Sequence, residues 1–376
     1  MSTDPKMKST HRSSTARRLA SAFALALAFS AANLAQGQPS AERSAAEDAP
    51  LQLRAKGDDV LVAPGGKAKC PKQDALNVSR VMIVGTSGGP TVGLKSYPQT
   101  LALEDHEVVL TFDDGPSSAT TPIILDALKR ECVLATFFLI GKNAERYPAL
   151  VQREKAEGHT IAFHSYSHPE ATLRRLTEKE GEVEILRGVE AVEKAAAVEP
   201  RPSSEPPARF FRFPGFADTQ PLLQYLARNN FAVFGTDVWA SDWVSMTPET
   251  QLRKILARLE ESKGGIVLFH DTREQTAVMI PEFLRQLKLN HFRIVHIVPG
   301  SGPLETKKAP LGWTSETDAI IARVMARRDR DTHSSVDAIS SRSASRKQNR
   351  IDAGVDAQFR ALECPGPVEE IMTEPQ

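Results

Sequence analysis

Short apolar runs of strand length alternate with amphipathic segments between residues 107 and 297. The segments between the runs predict helices near 121–131, 144–157 and 177–197, and another that begins at the Thr-Pro-Glu of residues 247–249. The runs show almost no polar alternation, which is typical of strands covered by helices on both faces. They are "EVVLTF", "ATFFLIG", "HTIAFHS", "RFFRFP", "FAVFGTDV", "GIVLFHD" and "FRIVHI".

About seven strand–helix repeats predict an α/β fold with a parallel sheet closed as a distorted (β/α) barrel, or alternatively an open doubly wound sheet. This assigns residues 105–300 to one catalytic domain. The preceding residues, 38–104, predict a mostly irregular extension with one strand candidate at 80–84. For the following residues, 301–376, we expect a polar, disordered tail, because its stretch 322–350 is basic, with eight basic and three acidic residues, many serines and few large apolar side chains.

The N-terminus has the composition of an export signal. Arg12, Arg17 and Arg18 precede the apolar stretch "LASAFALALAFSAA", and small residues follow it. Residues 1–37 therefore predict a signal peptide and a periplasmic or secreted protein, with a single-pass anchor as the alternative. Basic and acidic residues both number 47, so no overall charge favours a nucleic-acid partner. The three cysteines permit one disulfide, but the sequence does not choose the pair.

Polar residues capable of catalysis follow five of the predicted strands. Because the carboxyl ends of parallel strands form one rim of a barrel, where active sites are built, we expect these side chains to converge. The residues are Asp113, Asp114, His164, His168, Arg212, Asp242 and His270.

Three of these residues have the character of metal ligands. His164 and His168 are four residues apart and would face one side of a helical turn. With Asp114 they form a set of three ligands that leaves positions open for water and substrate, as in catalytic metal sites. Asp113 would then stay ionised as a general base, because the metal neutralises its neighbour.

The remaining polar residues would act around this base. His270 is suited to protonate a leaving amine, Arg212 to pair with Asp113, and Asp242 to pair with His270. A competing motif, "GTSGG" at 85–89, fits the nucleophile elbow of serine hydrolases. The glycines and proline that follow it oppose the helix that such an elbow needs, so we interpret it as a glycine-rich loop.

The chain resembles the NodB-type polysaccharide deacetylases, carbohydrate esterase family 4, from about residue 105 to 298. All five ordered motifs of that family are present, and the fold it implies is a distorted (β/α) barrel. The motifs are "TFDDGP", "HSYSHP", "FRFPGF", "DVWASDW" and "IVLFHD".

The resemblance implies specific roles. Asp113 would be the base, oriented by Arg212, and His270 the acid, tuned by Asp242. The implied ligands of a divalent metal, usually zinc, are Asp114, His164 and His168.

The resemblance also implies substrate contacts. Trp243 and Leu268 would line the pocket for the acetyl methyl group, and the backbone N–H of Gly215 would belong to the oxyanion hole. Phe216 and Trp239 are also expected to contact substrate. Two positions depart from the family pattern: Gly215, followed by Phe216, stands where an aromatic residue is usual, and Trp239 stands where an aspartate is usual.

The expected activity is metal-dependent removal of acetyl groups from N-acetylglucosamine-containing polysaccharide or oligosaccharide, with release of acetate. Chitooligosaccharide, peptidoglycan and exopolysaccharide all carry this group, and the sequence does not choose among them. Two alternatives remain open: a deacylase of small amides or acetyl esters, and a catalytically silent carbohydrate-binding protein.

Overall fold

A computed structural model describes residue 70 and residues 72–169, 172–198 and 207–323. The predicted signal peptide and residues 324–376 lie outside this part of the chain. Within it, no helix combines the length and the apolar character needed to cross a membrane.

In the described residues up to 198, there are six strands and four α-helices. In chain order these are β1 (Val78–Gly85), β2 (Thr91–Val92), β3 (Gln99–Leu101), β4 (Glu107–Asp113), α1 (Thr121–Arg130), β5 (Thr136–Leu139), α2 (Gly141–Arg146), α3 (Pro148–Ala156), β6 (Thr160–Phe163) and α4 (Glu178–Ala195).

The described residues from 207 to 308 form six strands and three α-helices. They are β7 (Arg209–Phe211), α5 (Gln220–Arg228), β8 (Phe231–Phe234), β9 (Val238–Trp239), α6 (Pro248–Ser262), β10 (Gly264–His270), α7 (Glu274–Leu289), β11 (Arg293–Gly300) and β12 (Thr306–Lys308).

Ten strands form one sheet in which every described pairing is parallel. The order is β1-β11-β4-β5-β6-β7-β8-β2, and β10 pairs with both β4 and β9. All seven apolar runs between 107 and 297, and the candidate at 80–84, are strands of this sheet, which confirms the predicted α/β fold. Because β1 and β2 belong to the sheet, it begins before the predicted domain boundary at residue 105.

Alternate residues of β4 pack on opposite faces. Val108, Leu110 and Phe112 join the large apolar cluster that includes residues of the helices. Val109 joins a second cluster, whose members come from strands and the loops beside them. Because side chains alternate along a strand, Asp113 at the end of β4 shares the inner face with Val109. The fully buried β4 thus delivers the carboxylate of Asp113 to the interior of the barrel, at the end of the strand.

One of the predicted helices is divided in two in the structure. The single helix expected at 144–157 is two helices, α2 and α3, which meet at Tyr147. Pro148 is the first residue of α3, and since proline has no N–H to donate, α2 does not continue through it. The helix expected from residue 247 is confirmed, with the side chain of Thr247 accepting from the N–H of Thr250 as its N-cap.

The expectation of a disordered tail is wrong for residues 301–323. β12 pairs antiparallel with β3, and residues 316–323 are helical. The glycine-rich interpretation of 85–89 agrees with the structure, since residues 86–90 contain no helix. A disulfide joins Cys70 to Cys132, and Cys364 lies outside the described residues.

Candidate active site

The two carboxylates of "FDDGP" are separated by a turn of the backbone. Asp113 ends β4, whereas Asp114 has a φ of +72°, which redirects the chain. Gly115 then passes close to the carboxylate of Asp271, and a Cβ atom on residue 115 would lie 2.2 Å from Asp271 Oδ2. A glycine is therefore required at this position, and the turn allows both carboxylates to face one cavity.

Asp113 is held by a buried arginine. Arg212 Nη1 donates to Asp113 Oδ1 at 2.6 Å and to Thr111 Oγ1 at 2.9 Å, and Arg212 is fully buried. Its other nitrogens donate to the carbonyl oxygens of Phe234 and Gly235. The pairing predicted for Arg212 and Asp113 is thus present, and it leaves Asp113 Oδ2 directed toward His164 Nε2, 3.9 Å away.

Asp114, His164 and His168 form a compact group. Asp114 Oδ1 lies 3.5 Å from His164 Nε2 and 3.6 Å from His168 Nε2. One potential ligand atom from each residue lies within 4.8 Å of the others. The geometry therefore brings together the three residues that the sequence predicts as metal ligands.

The donor set of this group fits a divalent cation. Asp114 Oδ1 is buried and has no hydrogen-bond partner among the described residues. His164 Nδ1 lies 2.7 Å from the carbonyl oxygen of Arg212, which can only accept, so this nitrogen donates and Nε2 keeps its lone pair toward Asp114. Two imidazole nitrogens and one carboxylate oxygen are ligands that zinc commonly takes.

The pKa shifts of the group have identifiable causes. Burial lowers the pKa of His164 to about 4, although Asp113 and Asp114 oppose this shift, so the ring is neutral near pH 7. Burial disfavours the ionised form of Asp114, but His168, His270, His164 and Arg273 outweigh it and hold the pKa of Asp114 below its ordinary value. A neutral imidazole and an ionised carboxylate are the forms that bind metals.

The segment "HSYSH" is a loop, so the prediction of a helical turn is wrong. Ser165 and His168 both have positive φ angles. The side chain of Glu184, in α4, stabilises this loop by hydrogen bonds. Glu184 Oε1 accepts from the backbone N–H and the hydroxyl of Ser167 at 2.5 and 2.6 Å, and from the hydroxyl of Ser165 at 3.4 Å. The two histidine rings still lie close, with centroids 5.2 Å apart.

His270 ends β10 on the opposite side of Asp114. Its Nδ1 lies 2.8 Å from Asp242 Oδ1, and its Nε2 lies 3.9 Å from Asp114 Oδ2. Burial disfavours the imidazolium, but the charge and hydrogen bond of Asp242 outweigh it, with help from Asp114 and Asp113, and raise the pKa of His270 to about 9. The pairing predicted for Asp242 and His270 is present.

Asp242 is supported by residues that sequence reasoning missed. Asp242 Oδ2 accepts from the backbone N–H of His270 at 2.6 Å and from Thr276 Oγ1 at 2.7 Å. Gln251 of α6 donates to the same threonine hydroxyl at 3.0 Å, and both residues are fully buried. Asn143 similarly donates to the carbonyl oxygen of Asp114. None of the three lies in a recognisable motif.

An apolar cluster lies beside His270. It contains Phe216, Trp239, Trp243 and Leu268, all predicted as substrate contacts, and a fifth residue, Ile320. The ring of Trp243 stands perpendicular to that of His270, with centroids 6.0 Å apart.

The two departures from the family pattern have different surroundings. Trp239 is buried and stacks edge-to-face with Trp243 at 5.7 Å. Gly215 is exposed in a short 3₁₀ turn with a φ of +58°, and a Cβ atom there would meet only Thr172 Cγ2, at 3.9 Å. The space directly around a Cβ atom at residue 215 is therefore open.

The chain is similar to polysaccharide deacetylases over its catalytic region. Residues 101–234 match the family model described as polysaccharide deacetylase. A peptidoglycan-N-acetylglucosamine deacetylase of Bacillus cereus is 36% identical over 166 residues, which cover 44% of this chain and 56% of that protein. A chitooligosaccharide deacetylase of a Bradyrhizobium species is also 36% identical over 166 residues, and 71% of that protein is covered.

A solved structure supports the same assignment. The peptidoglycan deacetylase of Bdellovibrio bacteriovorus aligns with a TM-score of 0.51 and 30% sequence identity, and the match covers 59% of each chain. The chain covers little more than half of this structure and of the Bacillus cereus relative. Together with the shared sheet and the match to the Bradyrhizobium relative, these similarities show that the chain belongs to the polysaccharide deacetylase family.

Proposed function

We propose that the protein is an exported, metal-dependent deacetylase that hydrolyses the acetamide of N-acetylglucosamine units in a cell-wall or chitin-type glycan. The observation that carries the proposal is the position of one carboxylate–histidine group between two charged pairs. Asp114, His164 and His168 form the group, and the pairs are Asp113 with Arg212 and His270 with Asp242. The two named relatives act on peptidoglycan and on chitooligosaccharide, which supports the class of substrate.

Asp114, His164 and His168 would hold the cation. A bound divalent metal, with zinc as our choice, would supply Lewis-acid chemistry, polarising the acetyl carbonyl and making water easier to deprotonate. Asp113 accepts a proton from the attacking water through Oδ2, the oxygen that Arg212 leaves available. Arg212 keeps this carboxylate oriented through its hydrogen bond to Oδ1.

His270 completes the hydrolysis. The water oxygen forms a bond to the acetyl carbon, and the carbon–nitrogen bond breaks as the imidazolium donates its proton to the departing nitrogen. The products are acetate and a free amine on the sugar. The backbone N–H of Gly215 stabilises the oxyanion, while Trp243 and Leu268 contact the methyl group.

The test is acetate release from N-acetylated chitooligosaccharide and from peptidoglycan fragments. We expect activity that is lost with a chelator and restored by zinc. Asp113→Asn should retain the metal and lose most of its activity, since only the base is removed. Full acetate release by this variant would contradict the proposal.

The same assay separates the alternative functions. Glycan binding without acetate would indicate a silent carbohydrate-binding protein, and activity confined to small amides or esters would indicate a different deacylase. Activity that survives the chelator and is lost in Ser87→Ala would instead support the serine-hydrolase interpretation of "GTSGG".

A further inference from the structure

The last described part of the chain, residues 301–323, returns to the catalytic rim; we call it the C-terminal segment. β12 joins it to β3, and the indole nitrogen of Trp313 donates to the carbonyl oxygen of Leu94 at 2.6 Å. The backbone N–H of Thr317 donates to the carbonyl oxygen of Lys95 at 3.0 Å. These contacts fix the segment against the loop between β2 and β3.

Charged contacts hold the helical end of the C-terminal segment on two sides. Glu316 pairs with Lys95, and Asp318 pairs with Arg174 at 3.1 Å. Arg174 also donates to the backbone carbonyl and carboxylate of Asp218, which follows the third family motif. The position of residues 316–323 is therefore set by loops that surround the site.

Ile320 reaches the apolar cluster beside His270. It is 8% exposed and belongs to the same cluster as Phe216, Trp239, Trp243 and Leu268. This cluster is separate from the two large cores of the barrel, so burial of Ile320 does not serve the general packing of the sheet. Among the described residues, Ile320 is the one buried member of this cluster that lies outside the five family motifs.

We propose that Ile320 forms part of the wall of the acyl pocket and determines how long an acyl group the enzyme accepts. The inference rests on the proposed deacetylation, because the cluster adjoins the proposed acid, His270, through Trp243. An apolar pocket of fixed size discriminates by about 10- to 200-fold in kcat/KM for one methylene group. Removing part of its wall should reduce that discrimination.

Ile321 provides a matched control in the same helical turn. It is 7% exposed, slightly more buried than Ile320, but it lies outside the apolar cluster. Adjacent residues of a helix point about 100° apart, so the two isoleucines face different surroundings. Substitution of either isoleucine by alanine removes the same atoms, so both variants lose a similar amount of buried apolar surface.

The experiment measures kcat/KM of the full chain, loaded with zinc, on N-acetyl, N-propionyl and N-butyryl chitooligosaccharides. We expect Ile320→Ala to raise the propionyl-to-acetyl ratio about 10-fold, and Ile320→Val to shift it less in the same direction. Ile321→Ala should leave the ratio of the wild type unchanged. Thermal unfolding of each variant checks that the proteins compared are folded. If Ile320→Ala does not fold, the comparison of Ile320→Val with the wild type is used as the test.

Three outcomes would overturn the inference. The ratio could stay unchanged in both Ile320 variants, or it could rise equally in Ile321→Ala, which would indicate a general loosening of the C-terminal segment. If the wild type releases no acyl group from any of the three substrates, the proposed function fails and this inference fails with it. An active wild type with unaltered selectivity in the Ile320 variants contradicts the inference alone.

Discussion

His164 and His270 lie on the same rim and are both largely buried, with side chains 3% and 14% exposed, yet their pKa values move in opposite directions. Burial lowers the pKa of His164 to about 4. For His270 burial acts in the same sense, but Asp242 outweighs it and raises the pKa to about 9. One ring is therefore neutral near pH 7 and the other is charged.

The hydrogen-bond partner of each Nδ1 accounts for the difference. His164 donates to the carbonyl oxygen of Arg212, which is a dipole without net charge. His270 donates to the carboxylate of Asp242, whose charge stabilises the imidazolium. A neutral imidazole suits a metal ligand and an imidazolium suits a proton donor, so the two environments prepare the same residue type for two proposed tasks.

The largest expected effect comes from the metal side of the rim. His168→Ala removes one proposed ligand whose side chain is 36% exposed, so damage to folding should be small. We expect activity at limiting zinc to fall on the order of 10³-fold, because Lewis-acid stabilisation is worth several kcal/mol. Zinc content by elemental analysis should fall in parallel.

The exposed His291 is the matched control for this loss. His291→Ala should keep both the zinc and the activity of the wild type. If the His168→Ala variant retains one equivalent of tightly bound zinc, then His168 is not a ligand of the metal.

On the acid side, Asp242→Asn should change the pH dependence without removing the metal. Because the pKa of His270 is raised to about 9, the imidazolium persists up to that pH, and the activity should decline as pH rises through about 9. The substitution removes the charge that raises this pKa, so the alkaline limb should move to lower pH. At neutral pH we expect a loss of about 10²-fold in kcat.

The measurement is kcat across pH 6–10 for the zinc-loaded wild type and the variant. An alkaline limb at the same pH in both proteins would show that Asp242 does not tune the acid.

The rim was predictable from sequence because two local regularities determine it. Strands buried on both faces appear as continuous apolar runs, and their carboxyl ends in a parallel sheet coincide at one edge. Asp113, Arg212 and His270 could be placed on that edge from the sequence. Thr111 could also have been found, since residues two apart in a strand share a face and it contacts Arg212 beside Asp113.

What could not be predicted depends on contacts between distant segments. The "HSYSH" loop was expected to be helical, but Glu184 of α4 bonds its backbone in another conformation. Residues 301–323 were expected to be a disordered tail because their composition is polar. Few but well-placed contacts, such as those of Trp313 and Ile320, order them against the barrel.

A smaller effect should come from Thr276, whose hydroxyl group donates a hydrogen bond to Asp242. Thr276→Val removes the hydroxyl that donates to Asp242 Oδ2 and leaves a side chain of similar shape. We expect kcat to fall about 10-fold with KM little changed, since outer partners of a catalytic site typically contribute this much. Thr276→Ser keeps the hydroxyl and should recover most of the activity.

Two controls separate positioning from general packing. Thr136 is also fully buried, but its hydroxyl has no partner among the described residues, so Thr136→Val should have the activity of the wild type. In an Asp242→Asn background, Thr276→Val should cost little more, because the two residues would act through one contact. Additive losses in the double variant would show that Thr276 acts elsewhere.

The smallest effect is expected from Glu184, whose hydrogen bonds stabilise the loop that carries the two proposed histidine ligands. Glu184 accepts three hydrogen bonds from Ser165 and Ser167, two of the three residues between the histidines. Glu184→Gln keeps one acceptor oxygen but makes these bonds neutral, and charge-assisted bonds are roughly twice as strong. We therefore expect zinc affinity, measured by chelator competition, to fall only about 3-fold, with kcat at saturating zinc unchanged.

Glu190 lies on the exposed face of the same helix and provides the control. The Glu190→Gln variant should bind zinc with the same affinity as the wild type. A loss of kcat at saturating zinc in Glu184→Gln would mean that the loop also positions substrate. The metal side and the acid side would then differ in more than the charge of their histidines, because α4 would support the reacting groups as directly as α7 does through Thr276.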